Sequence, residues 1–132
     1  PGTHGSTFAG NPLAMAVAEV VLDELAAPGF LADVRRRADI MVAALRKVAS
    51  RHAGKVVEVR GRGFLCGVRL ADDVAAGGVG VALREVKVLT APAAENTVRF
   101  LPPLTISEEE IGLAVSRFDD VLARFGEAGD DS

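Results

Sequence analysis

Hydroxyl-bearing residues crowd the stretch Thr3-His4-Gly5-Ser6-Thr7-Phe8-Ala9-Gly10-Asn11-Pro12-Leu13, just ahead of an apolar-periodic run. Small hydroxyls and exposed backbone N–H groups gathered before a helix start can hold a phosphate, because the unpaired donors and the helix dipole both favour an anion there. The same residue types also serve as ordinary caps and turns, so Ser6 and Thr7 admit both readings from their chemistry alone. A second candidate is Arg99, in the run Thr97-Val98-Arg99-Phe100-Leu101. A planar guanidinium can grip a carboxylate through two parallel hydrogen bonds, which sets orientation as well as affinity. Equally, an arginine on a strand can face water or pair with a neighbour such as Glu95.

Other reactive side chains fit structural roles. His4 has no acid or nucleophile at a fixed relation to it, and His52 falls at an expected helix end, where a cation is favoured in any case. Cys66 alternates within an apolar run and reads as core rather than nucleophile. Gly61-Arg62-Gly63 with Gly67 misses the dinucleotide-binding spacing by one residue, and a strand follows where a helix is required.

The elements that must hold these residues follow from periodicity. Asn11 caps a helix with Pro12 at its first position, running to about Ala27 and ending at Pro28-Gly29. A second helix, from about Phe30 to Arg51, builds an apolar stripe of Leu31, Val34, Ala38, Met41, Val42 and Leu45, with its arginines mostly on the other side. Strands are expected at Val56–Val59 and Phe64–Leu70, bent or joined at the glycines. A weaker helix spans Gly78–Glu85, followed by strands at Val86–Thr90 and Thr97–Leu101, the latter stopped by Pro102-Pro103. Alternation in that last strand sets Val98 and Phe100 against Arg99 and Leu101. Ser107-Glu108-Glu109-Glu110 forms a capping box for a closing helix to about Phe125, and the acidic tail from Gly126 to Ser132 is expected to fray. Alternating helices and strands predict an α/β arrangement with helices on a small sheet.

Composition sets the outer bounds. At 132 residues, 49% hydrophobic and 25% charged, with positive mean hydropathy, the sequence has the composition of a folded domain able to bury a core. The net charge is −3, and Arg35, Arg36 and Arg37 are balanced by Asp33 and Asp39, which argues against a nucleic-acid face. One cysteine permits no internal disulfide and gives no metal-ligand spacing, and a reducing cytosol is the default compartment. No apolar run approaches the roughly 18 residues of a membrane span. A start at Pro1 inside a motif leads us to expect a fragment of a longer reading frame.

The opening string resembles the His-Gly-Ser-Thr-aromatic-Gly-Gly-Asn-Pro motif of class III pyridoxal-phosphate (PLP) aminotransferases. The likeness extends through Leu13-Ala14-Met15-Ala16-Val17-Ala18 and returns at Glu58-Val59-Arg60-Gly61-Arg62-Gly63-Phe64-Leu65-Cys66-Gly67 and at Val98-Arg99-Phe100-Leu101-Pro102-Pro103-Leu104. Within the class it looks most like the acetylornithine branch of arginine biosynthesis. The resemblance implies the C-terminal small domain of a fold-type I PLP enzyme: residues 1–27 a loop and linking helix from the large-domain edge, residues 28–126 the small α/β domain, and residues 127–132 a tail.

The resemblance further implies a cytoplasmic homodimer whose cofactor site is shared across subunits. Thr7 would bind the phosphate of the neighbouring subunit's PLP, Ser6 would touch substrate, and Arg99 would bind a substrate carboxylate. The reaction implied moves the amino group of N-acetylornithine to 2-oxoglutarate. Ornithine, succinylornithine or 4-aminobutyrate as donor, or a non-catalytic α/β interaction module, are the alternatives. Ala9 stands where the family more often has Gly, and would be strained if that backbone needs positive φ. Lys47, Lys55 and Lys87 all lack the setting of the family's cofactor-carrying lysine, which is expected before Pro1, as is the aspartate that pairs with the pyridine nitrogen. The 132-residue chain alone is therefore expected to be inactive.

Overall fold

The computed structural model describes residue 5 and residues 7–125. Packing divides the chain into two compact units, Pro1–Asp33 and Val34–Ser132. The first unit is dominated by α1 (Pro12–Ala26). Asn11 starts it as expected: its Oδ1 accepts from the Ala14 N–H at 2.9 Å, and its Nδ2 donates to the Phe8 carbonyl at 2.7 Å. The helix buries none of its residues, and Leu13, Val17, Val20, Val21 and Leu22 are all more than half exposed.

The second unit contains most of α2 (Phe30–Arg51), then β1 (Val56–Arg62), β2 (Leu65–Leu70), α3 (Ala76–Glu85), β3 (Ala91–Ala93), β4 (Thr97–Phe100) and α4 (Glu108–Arg124). The strands form one antiparallel sheet in the order β1-β2-β4-β3. One sheet face is the core face, because the alternation of β2 and β4 turns Cys66, Val68, Leu70, Val98 and Phe100 inward. Val34, Ala38, Met41, Leu45 and Val48 of α2 are buried at spacings of three and four, as are Ile111, Val115, Phe118, Val121 and Leu122 of α4. Phe118 meets Phe100 edge to face, with ring centroids 5.2 Å apart. The result is the expected α/β piece, with helices against a small sheet.

Several boundaries differ from expectation for physical reasons. β1 runs on through Gly61 to Arg62, so the glycines lie within and beside a hairpin rather than ending a strand. Gly61, at φ 142°, is obligatory: a Cβ there would sit 2.1 Å from the Leu65 carbonyl oxygen. Val86–Thr90 is not a strand. Val88 is buried, and its N–H donates to the Leu83 carbonyl while Lys87 turns left-handed at φ 64°, so this apolar run closes the end of α3. Pairing begins instead at Ala91-Pro92-Ala93, an edge strand where a missing proline N–H is tolerated. Arg37 departs from its exposed neighbours: it is buried, donates to the Ile106 carbonyl and lies 6.0 Å from the Phe64 ring centroid. Leu31 and Val42, placed in the apolar stripe, are exposed and half-buried respectively.

Candidate functional site

The sheet face opposite the core carries the candidate chemistry of the second unit. Strand register puts Arg60, Gly67, Arg99 and Ala91 in one row across β1, β2, β4 and β3, and alternation points this row away from buried Val68 and Phe100. A cleft of about 370 Å³ opens there, lined by Arg60, Arg62, Leu65, Gly67, Thr97 and Arg99 among others. A Cβ at Gly67 would meet Thr97 Cγ2 at 2.9 Å, so a side chain at this lining position would crowd its neighbour.

Arg99 is half-buried, and among the described residues its side chain makes one hydrogen bond, from Nη2 to the Pro92 carbonyl at 3.3 Å. Its Nε is fully buried with no partner among the described residues. Buried guanidinium N–H groups are normally satisfied, so this arginine is short of acceptors. The expected alternative, a pair with Glu95, does not form: Glu95 is held by Arg60 Nη2 at 2.7 Å, and the Arg60 hydrogen bond and charge lower its carboxyl pKa. Among the described residues no carboxylate pairs with Arg99.

The turn preceding β4 places Arg99. Glu95 and Asn96 are left-handed, at φ 58° and 50°. The Asn96 side chain donates to the carbonyls of Ala71 at 2.8 Å and Val74 at 2.9 Å, and accepts from the Ala76 N–H at 2.9 Å. Sequence reasoning passed over Asn96. The available signal was an Asn, tolerant of left-handed φ and rich in local hydrogen bonds, directly before a strand.

In the first unit, Thr7 is exposed in the bend leading into α1. Ser6 and His4 lie outside the described residues. Gly10 takes positive φ at 73°, and Ala9 does not, so the strain considered at Ala9 falls instead on a glycine. No acidic residue stands in the first turn of α1, and a neutral hydroxyl beside such a helix start fits a phosphate.

The remaining candidates are structural. Lys55 donates to the Leu122 carbonyl at 2.7 Å, closing the end of α4, Lys47 is exposed on α2, and Lys87 sits in the turn after α3. His52 Nε2 lies 2.8 Å from Asp119 Oδ1. Arg51, at 2.6 Å from the same carboxylate, together with His52 holds the Asp119 carboxyl below its usual range against the opposing effect of burial. Burial pushes the Cys66 thiol up, so it stays protonated and unreactive. No group of three or more metal-ligating side chains forms among the described residues, and none of their helices is long and apolar enough to cross a membrane.

The family model for aminotransferase class-III matches residues 1–122. This chain belongs to the class-III aminotransferases. The class-III chain is 46% identical over 123 residues to acetylornithine aminotransferase 1 of Bradyrhizobium diazoefficiens, covering 93% of this chain and 30% of that protein. It is 43% identical over 116 residues to the acetylornithine aminotransferase of Mesorhizobium japonicum, covering 88% and 29%. Among solved structures, acetylornithine aminotransferase from Elizabethkingia anophelis superposes with a TM-score of 0.81 at 32% identity, covering 95% of this chain and 32% of the other. The ornithine aminotransferase of Toxoplasma gondii, described with partial occupancy of PLP at its active site, gives a TM-score of 0.80 at 35% identity, covering 95% and 30%. The class-III chain thus spans about 30% of the length of the curated relatives it matches.

Proposed function

We propose that this class-III chain is the C-terminal part of a PLP-dependent aminotransferase that moves the amino group of N-acetylornithine to 2-oxoglutarate in arginine biosynthesis. The observation that carries the reading is Arg99: a half-buried guanidinium on an open sheet face, with a buried N–H that finds no acceptor among the described residues and a cleft beside it. A substrate carboxylate supplies the missing acceptor, and a planar fork fixes the substrate's orientation. Relatives named acetylornithine aminotransferase support the choice of donor.

Under this reading residues 1–27 are a loop and linking helix from the large-domain edge, residues 28–126 the small domain, and residues 127–132 a tail. The protein works as a cytoplasmic homodimer on small-molecule substrates. The Thr7 hydroxyl donates to the phosphate of the cofactor bound by the neighbouring subunit, adding no charge that would compete with substrate. Ser6 contacts the substrate. When bound, PLP supplies the electron sink for amino transfer, and its carrying lysine belongs to the portion of the protein before Pro1.

The test is a donor panel on the full-length protein, with 2-oxoglutarate as acceptor. N-acetylornithine is expected to give the highest kcat/KM, ahead of ornithine, succinylornithine and 4-aminobutyrate. A preference for ornithine would assign the protein to the other branch represented among its structural neighbours. Turnover of none of the four donors would overturn the reading.

A further inference from the structure

We infer that Asn96 is the positioning residue for the Arg99 carboxylate seat, fixing through its side chain the strand register that delivers the guanidinium to the cleft. The inference rests on the role proposed for Arg99 as carboxylate binder.

Arg99 has little of its own to hold it in place. Among the described residues its Nε is unpartnered, and its one side-chain hydrogen bond is 3.3 Å long and reaches the edge strand β3. Its location is therefore set by the backbone of β4, a strand of four residues paired to Gly67 on one side and Ala91 on the other. So short a ladder specifies its register weakly unless its end is fixed.

Asn96, three residues before Arg99, fixes that end. Its backbone carbonyl accepts the Leu70 N–H at 3.0 Å, continuing the β2 pairing. Its Nδ2 reaches the Ala71 and Val74 carbonyls in the β2–α3 connection, with a longer contact to the Leu70 carbonyl at 3.4 Å. Its Oδ1 accepts from the Ala76 N–H, the first of α3. Ala75 stands at the N-cap of α3 and has no side chain able to cap it, so Asn96 caps that helix from across the chain. One amide therefore joins the start of β4 to the end of β2 and the start of α3.

Amide chemistry is specific here, because the site needs two donated N–H groups and one acceptor at a left-handed residue. Aspartate keeps the acceptor for Ala76 but presents a carboxylate to three carbonyl oxygens. Glycine keeps the left-handed backbone and removes every side-chain bond.

The test uses the full-length protein loaded with PLP, with 2-oxoglutarate as the varied substrate. KM, kcat and Tm are compared for Asn96→Gly, Asn96→Asp and Arg99→Ala. Small displacements of a positioning group carry large kinetic penalties, so both Asn96 variants are expected to raise KM on the order of tenfold, with a smaller change in kcat. Asn96→Gly provides the readout even if Asn96→Asp folds poorly, since its backbone is unstrained. In an Arg99→Ala background, Asn96→Gly is expected to add no further rise in KM, because the two residues act as a unit. Asn96 variants that lower Tm while leaving KM and kcat at wild-type values would make Asn96 purely structural and overturn the inference. An Arg99→Ala protein with unchanged KM is a distinguishable failure: it removes the seat itself, and the positioning role with it.

Discussion

Arg99 and Thr7 show how far a residue's type reaches and where its surroundings take over. Type offered Arg99 two roles, water-facing or paired with Glu95, beside that of carboxylate binder. Its surroundings remove the Glu95 pair, because Arg60, in the same cross-strand row as Arg99, holds that carboxylate. That competition depends on strand register, which β1 and β4 set only once folded, so it was not legible from a local reading around Arg99. For Thr7 only its place before the Asn11-Pro12 helix start was legible, its phosphate role remaining a proposal, and Gly10 rather than Ala9 carries the positive φ of that turn. Thr7→Val in the full-length protein keeps the shape and removes the hydroxyl. Loss of one hydrogen bond to a charged group, about 1.5–3 kcal/mol, predicts PLP affinity lower by roughly 10- to 100-fold with Tm of the apoprotein unchanged. Equal PLP dissociation constants for variant and wild type would remove Thr7 from the phosphate site.

At the scale of elements, helices with strong periodicity and local stop signals were read correctly. α1, α2 and α4 follow from Asn11-Pro12, Pro28-Gly29 and the Ser107 capping box, in which Glu110 accepts the Ser107 N–H at 2.8 Å. The short β3 was misplaced because Val86–Thr90 has β-branched residues without a partner strand, and Val88 gains more by closing α3 into the core than by pairing.

Side-chain pairing between α2 and α4 lay beyond the sequence, since Arg51 and His52 meet Asp119 from 68 and 67 positions away in the chain. That cluster gives a pH prediction with a definite sign. Asp119 has a lowered pKa in the fold, first through the Arg51 hydrogen bond, so its contribution is present above the usual carboxylate range, near 4, and is lost as pH falls through the lowered value. Arg51 is more than half exposed, which limits the contribution to about 0.5–1 kcal/mol. Thermal denaturation between roughly pH 5 and pH 3 should show Asp119→Asn less stable than wild type at pH 5, with the gap closing toward pH 3. A gap that stays constant across this range would exclude the ionised carboxylate as its source.

For the whole molecule, α1 is the informative feature. It exposes Leu13, Met15, Val17, Val20, Val21 and Leu22, with Glu19 and Asp23 sharing one side, and so much exposed apolar surface on one helix marks a face that other protein covers. This agrees with a chain spanning about 30% of the length of its acetylornithine aminotransferase relatives. The isolated 132-residue chain is expected to self-associate, or to bind a hydrophobic dye, in light scattering and fluorescence measurements. It is also expected to transfer no amino group from N-acetylornithine above a heat-killed control. A monodisperse monomer that catalyses transfer would contradict both expectations. The α/β class was legible from alternating periodicities, whereas the open sheet face that carries Arg99 was not, because it arises from the pairing of β1, β2 and β4, with α3 and β3 intervening in the chain.

The most direct measurement is the steady-state kcat/KM of the full-length protein for N-acetylornithine, with Arg99 as wild type, as Arg99→Lys and as Arg99→Ala. Two charge-assisted hydrogen bonds at about 1.5–3 kcal/mol each predict a fall on the order of 100-fold or more for Arg99→Ala. Lysine lacks the planar fork and should restore little of it. A kcat/KM for Arg99→Ala within about threefold of wild type, far short of the loss expected for two such bonds, would show that the substrate carboxylate is bound elsewhere.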